Sequence, residues 1–288
     1  MSKIINYISL VKFSHTLFAL PFALIGYFLS VKAGSGHISW LLLILVVMCM
    51  VFARNAAMSF NRYADRHFDK LNPRTALREI PAGIIKAESA LIFTIINASL
   101  FMLTTWFINT LTFFLSPIAL IVILGYSLTK RFTALCHFIL GISLSLAPIG
   151  AYLAVTGKFD LLPLLLSFVV LLWVSGFDII YSLQDESFDK GNSLKSVPAM
   201  MGTKMALNLS SILHLFCALL IIFIGLKGAF NIYFWIGTSI FILLLIYQHL
   251  IVKVDDLSRV NLAFGTTNGI ASLIFATLTI ISILTGLS

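Results

Sequence analysis

The sequence predicts an all-α, polytopic membrane protein with about nine transmembrane helices, and three observations carry that expectation. The first is composition. Of the 288 residues, 60% are hydrophobic and 10% charged, against roughly 25% charged in a soluble domain. With a mean hydropathy of +1.04, the chain cannot cover itself with polar surface, so the lipid bilayer is its expected solvent. The second is run length. The apolar runs are about 20 residues long, as a spanning helix requires, not the alternating ten-residue segments of a barrel. The third is charge placement. With the N-terminus in the cytoplasm, Lys3, Lys12, Arg62, Arg66, Lys70, Arg74, Arg78, Lys86, Lys130, Arg131, Lys190, Lys195, Lys204, Lys253 and Arg259 all fall on the cytoplasmic side. Lys32, Lys158 and Lys227 fall opposite, and Arg54 lies within the second run. A miscounted span would scramble this positive-inside bias. The net charge of +8 is therefore a topology signal, and no nucleic-acid partner is expected.

The expected spans are 15–33, 39–61, 88–107, 110–128, 134–155, 161–183, 205–226, 231–252 and 262–285, within one domain covering 1–288. No small-residue cleavage site follows a short apolar core before the first run, so no removable signal peptide is expected. The second run leads into Asn61, Asp65 and Asp69, spaced by four and so on one helical face. Cys49, Cys136 and Cys217 fall inside apolar runs without metal-type spacing and read as buried, inert thiols. The sixth run carries Asp178, whose cost at membrane depth makes it a functional candidate; a carboxylate satisfied by neighbouring side chains is the plainer alternative. Most connections are short. The two long ones, 62–87 and 184–204, carry the acidic motifs. An odd number of spans places the C-terminus outside the cytoplasm.

Those two motifs read alike. Asp65 to Asn72 and Asp185 to Asn192 both spell D-x-x-F-D-K-x-N. Four spans separate them, so they open on the same face. Two acidic patches brought together there would repel unless something cationic sat between. Carboxylates and an amide oxygen are hard ligands that suit Mg²⁺, which commonly bridges protein carboxylates and substrate phosphates. Arg74 and Arg78 follow the first pair, Lys190 and Lys195 the second, and arginine forks match phosphate oxygens. His67, two residues from each aspartate of the first pair, points away from their face. Together the carboxylates, metal and arginines predict a diphosphate site at the membrane interface. A lipid diphosphate would place its tail among the spans, and Tyr126 and Tyr181 would offer aromatic faces to an allylic cation; core packing is the plainer role for each ring.

The pattern N-x-x-x-D-x-x-x-D at 61–69, N-P-R-T-x-x-R-x-x-P-A-G at 72–83 and Y-x-x-Q-D-x-x-F-D with S-x-P at 181–198 resembles the UbiA superfamily of intramembrane prenyltransferases. Lys12 to Thr16, Phe18 to Leu24, Tyr126 to Thr133, Asn261 to Phe264 and Thr267 to Gly269 resemble its 4-hydroxybenzoate polyprenyltransferase-like branch. The resemblance implies nine helices around a central cavity. It implies Mg²⁺-dependent transfer of a prenyl chain from a polyprenyl diphosphate to an aromatic acid in quinone biosynthesis, in a bacterial-type inner membrane with the site open to the cytoplasm. By that resemblance Asn61, Asp65, Asp69, Asp185 and Asp189 hold the metal–diphosphate unit, Arg74 and Arg78 grip the diphosphate, and Tyr126 and Lys130 belong to a loop near the pocket. Asp178 would orient or deprotonate the acceptor.

Arg62 and Glu79 depart from the common family pattern, which leaves the acceptor open between a 4-hydroxybenzoate-like ring and the dihydroxynaphthoate of menaquinone synthesis. Asn72-Pro73 before Arg74-Thr75 argues against a haem acceptor. A secondary transporter would place its charges near the midplane. A CDP-alcohol phosphotransferase would need D-G-x-x-A-R, and a structural scaffold gives no reason for two matched acidic faces.

Overall fold

The structure is a computed structural model describing residues 3–11, 18–34 and 37–286. Lys12 to Thr16, and with them the start of the expected 15–33 span, lie outside those residues. The elements are α1 (Lys3–Leu10), α2 (Leu20–Ala33), α3 (Trp40–Leu71), α4 (Ala87–Trp106), α5 (Thr110–Thr129), α6 (Cys136–Thr156) and α7 (Leu161–Ser182). After a 3₁₀ turn at Leu183–Asp185 come α8 (Glu186–Gly191), α9 (Val197–Met201), α10 (Thr203–Lys227), α11 (Ile232–Ile251), a π-helical turn at Leu262–Thr267 and α12 (Asn268–Thr285). Among the described residues, eight helical segments are long and apolar enough to cross a membrane, and α2 is a shorter apolar helix.

Helix starts follow sequence. Ser39 accepts from Leu42 N, Asn109 from Thr112 N, Asp160 from Leu162 N and Asn231 from Tyr233 N. Each satisfies an orphan amide at the head of α3, α5, α7 or α11. Two boundaries differ from expectation. The second span does not stop at residue 61: α3 continues to Leu71, 32 residues in all, or about 48 Å at 1.5 Å per residue. The polar residues there do not break the helix because arginines of other segments partner them, Arg131 at Asp65 and Arg78 at Asp69. The second acidic motif behaves otherwise. There the chain leaves α7 through the 3₁₀ turn, and α8 and α9 occupy a stretch expected to be only a connection.

Neighbouring helices close a circuit: α2, α3, α4, α5, α6, α7, α10, α11, α12 and back to α2. Helix α2 also packs on α6 and α7. At Gly26 a Cβ would meet the Pro148 carbonyl oxygen at 2.1 Å, so only glycine permits this α2–α6 approach, the small-residue packing common in lipid. On the α7 side the core is aromatic. Trp173, Phe22, Phe177, Phe241 and Phe275 are buried together, and Trp173 Nε1 donates to Asn268 Oδ1 at 2.8 Å. The π turn leaves the Ala263 carbonyl to accept from Asn268 Nδ2 at 2.8 Å and places Phe264 on Tyr181, ring centroids 4.0 Å apart.

Candidate active site

The circuit of helices surrounds a cavity of about 620 Å³. One end is apolar, lined by Val46, Met50, Phe101, Ile108 and Leu153. The other is lined by Asn61, Asp65, Asp69, Arg74, Arg78, Lys130, Arg131, Asp185 and Asp189. From Val46 to Asn61 the α3 wall rises about 22 Å, so the cavity is long enough for an extended tail below a polar head.

At the polar end every aspartate of the two rows has its own cation. Arg74 holds Asp185 through two hydrogen bonds, Nε to Oδ1 at 3.0 Å and Nη2 to Oδ2, while its Nη1 donates to Tyr181 OH at 2.8 Å. Arg78 Nη1 lies 2.7 Å from Asp69 Oδ1, Lys130 Nζ 2.8 Å from Asp189 Oδ1, and Arg131 Nη2 3.7 Å from Asp65 Oδ1. Four carboxylates interleave with four cations, which removes the repulsion expected of facing acidic rows. Asn72 Nδ2 adds a bond to Asp185 Oδ1 at 2.9 Å, and Ser196 Oγ one to Asp189 Oδ2 at 2.7 Å. Asn61 Nδ2 donates to Asp65 Oδ2 at 3.1 Å. Asp69, Asp185 and Asp189 are buried, Asp189 completely, so this is not a solvated loop. Burial opposes the charge on Arg74 and on Lys130. The hydrogen bond to Asp185 outweighs it for Arg74, and the Asp189 charge outweighs it for Lys130, so both pKa values are raised.

The remaining residues singled out in the sequence also find places. Tyr126 lines the cavity from the last turns of α5. Asp178 lines it deeper along α7, and its Oδ2 accepts from His137 Nδ1 at 2.7 Å. His67 is exposed and faces away. Lys190 pairs with Glu186 at 2.6 Å, outside the paired rows.

The UbiA prenyltransferase family model matches residues 19–280. The chain belongs to the UbiA prenyltransferase family. A 4-hydroxybenzoate octaprenyltransferase of Aliivibrio fischeri (strain MJ11) is 31% identical over 244 residues, 84% of each chain. The apo structure of a UbiA homolog from Aeropyrum pernix K1 superposes with a TM-score of 0.81 at 29% identity, covering 95% of this chain and 98% of that one. A UbiA homolog from Archaeoglobus fulgidus bound to GPP and Mg²⁺ shares the fold, with a TM-score of 0.72 at 20% identity over 97% and 99% of the two chains.

Within this UbiA-family site, sequence reasoning missed several groups. Asn72 sat in a quoted motif but was given no role. Arg131 and Ser196 become visible only as partners of Asp65 and of the buried Asp189. Arg54 and the buried Arg62 add two further cations to the cavity wall. Arg54 signalled itself as a cation inside an apolar run, and His137 carried no signal in the sequence. The donor set fits a hard cation: Asn61, Asp65, Asp69, Asp185 and Asp189 offer only oxygen, and Asp69 Oδ2 is buried without a hydrogen-bond partner. Among the described residues no three acidic, His or Cys side chains are already gathered as a metal cluster, because arginine and lysine occupy the positions between them.

Proposed function

We propose that the protein transfers a polyprenyl group from a polyprenyl diphosphate to an aromatic acid of the 4-hydroxybenzoate type, in quinone biosynthesis. It would do so as one domain in a bacterial-type inner membrane, with the N-terminus and the site mouth on the cytoplasmic side, where the loop cations cluster. The observation that carries this reading is the set of four ion pairs closing one end of an apolar cavity. Each pair holds one group suited to a divalent cation and one suited to a phosphate. Substrate would exchange these partners: carboxylates turn to the metal, and cations turn to the diphosphate.

Asn61, Asp65, Asp69, Asp185 and Asp189 would hold Mg²⁺, which supplies charge neutralisation to the departing diphosphate. Arg74, Arg78 and Lys130 bind the phosphate oxygens and stabilise the charge that grows as the C1–O bond breaks. The tail lies along the apolar wall. Tyr126 and Tyr181 present ring faces near the allylic cation, each worth roughly 0.5–2 kcal/mol. The acceptor ring, electron-rich beside its hydroxyl, attacks C1. Arg54, two turns of α3 below Asn61, fits the acceptor's carboxylate. A transporter reading is disfavoured because the carboxylate pairs sit at helix ends.

The test is turnover by purified protein in nanodiscs with Mg²⁺, several prenyl diphosphates, and 4-hydroxybenzoate or dihydroxynaphthoate, with products identified by mass. The reading expects a C-prenylated 4-hydroxybenzoate-type product. No prenylated aromatic under any combination would refute it; product from dihydroxynaphthoate alone would move the acceptor to that ring.

A further inference from the structure

The cavity contains one acid pair that the diphosphate end does not use. His137, in the first turn of α6, is 2% exposed and places Nδ1 2.7 Å from Asp178 Oδ2 on α7. Its other nitrogen, Nε2, lies 3.3 Å from the backbone nitrogen of Val197. A backbone N–H can only donate, so Nε2 accepts. The ring proton is thereby fixed on Nδ1 and directed at Asp178. Asp178 keeps 21% of its side chain exposed and lines the cavity. It sits seven residues before Asp185, about 10 Å deeper along α7. That is past the diphosphate end, at the level where a reacting ring would meet C1.

The two helices that hold this pair cannot slide easily. One turn beyond His137, a Cβ at Gly141 would meet Ser175 Oγ at 2.5 Å and the Leu171 carbonyl oxygen at 2.7 Å. Ser175 Oγ donates to the Leu171 carbonyl at 2.7 Å and reaches the His137 carbonyl at 3.3 Å. The close contact between α6 and α7 thus sets the distance between imidazole and carboxylate, as a preorganised site requires.

We infer that His137 is a positioning residue, and that it orients Asp178 as the base for the acceptor's ring hydroxyl. This rests on the prenyl-transfer reading above. Asp178 takes the hydroxyl proton as the neighbouring ring carbon bonds to C1 and the C1–O bond to diphosphate breaks. The proton on that ring carbon leaves to the released diphosphate, and Asp178 returns its proton to the oxygen. The ring regains aromaticity and every atom is accounted for. His137 makes no contact with substrate in this step; it fixes which carboxylate oxygen is free.

The experiment compares His137→Leu, His137→Gln and Asp178→Asn in nanodiscs, using 4-hydroxybenzoate and ring-fluorinated analogues whose hydroxyls are more acidic. Leu at 137 should lower kcat about 100-fold, the usual scale of general-base loss, with KM for the prenyl diphosphate within about twofold of wild type. Gln offers an amide N–H to Asp178 and a carbonyl to Val197 N–H, so it should restore most of that loss. The more acidic acceptors should regain activity in His137→Leu and Asp178→Asn, because their proton is already gone. Wild-type kcat in His137→Leu, or an equal loss on every acceptor, would overturn the inference while leaving prenyl transfer intact. Should the Leu variant not fold, the near-isosteric Asp178→Asn must show the same acceptor-acidity dependence, or the inference falls. A wild-type protein inactive on every phenolic acid would instead overturn the reading beneath it.

Discussion

Arg74 gives the sharpest test of the exchange between carboxylates and cations. Its guanidinium makes two hydrogen bonds to Asp185 and one to Tyr181. Replacement by Lys keeps the charge and loses the fork. If the same fork grips the diphosphate, one charge-assisted hydrogen bond is lost in the transition state, about 1.5–3 kcal/mol. That corresponds to roughly a 10- to 150-fold fall in kcat/KM for the prenyl diphosphate. Replacement by Ala removes the charge too. At about 4 Å and an effective dielectric near 20, a unit charge contributes about 4 kcal/mol, so the fall should approach 1000-fold. Arg74→Ala also leaves Asp185, 7% exposed, without its cation. Its Tm should drop without metal and rise more on adding Mg²⁺ than the wild type's does. The assay is prenyl transfer in nanodiscs across a diphosphate concentration series, with thermal unfolding of the same samples. An Arg74→Ala enzyme within twofold of wild type in kcat/KM would refute the exchange.

Asp65→Asn and Asp189→Asn should each abolish prenyl transfer while the protein stays folded, as read by product mass and thermal unfolding. Lys130→Met leaves the fully buried Asp189 without its cation, at a cost of about 3–5 kcal/mol; a Tm unchanged from wild type would contradict the pairing. Gly26→Ala drives a methyl into the Pro148 carbonyl and should destabilise by about 1–3 kcal/mol, read by unfolding in detergent. Chelation with EDTA should remove activity and Mg²⁺ restore it; turnover in excess chelator would argue against a metal-dependent step.

Much of the architecture was legible because lipid leaves few options. Run length and charge bias are enough to place the apolar helices, since an unpaired backbone or a misplaced lysine is costly in the bilayer. The boundary at residue 61 was read too early. Asn61, Asp65 and Asp69 look like a helix leaving the membrane, whereas Arg131 and Arg78 from other segments pair with the two aspartates and α3 runs on. The two acidic rows were legible as a repeated motif on one face. Their partners were not, because Asn72, Arg131 and Ser196 acquire meaning only when distant segments meet. The same holds for His137. Nothing in its neighbourhood in sequence announces Asp178, 41 residues away, and only the α6–α7 contact joins them.

The account rests on one site in which acids and cations are held for a metal and a diphosphate. Equilibrium binding of a non-reacting prenyl diphosphate analogue, with and without Mg²⁺, tests it most directly on wild type, Asp69→Asn and Asp189→Asn. Wild type should bind at least tenfold more tightly with Mg²⁺, and either substitution, one in each row, should erase that difference. Binding indifferent to Mg²⁺ in the wild type, or fully Mg²⁺-dependent binding in either variant, would contradict it.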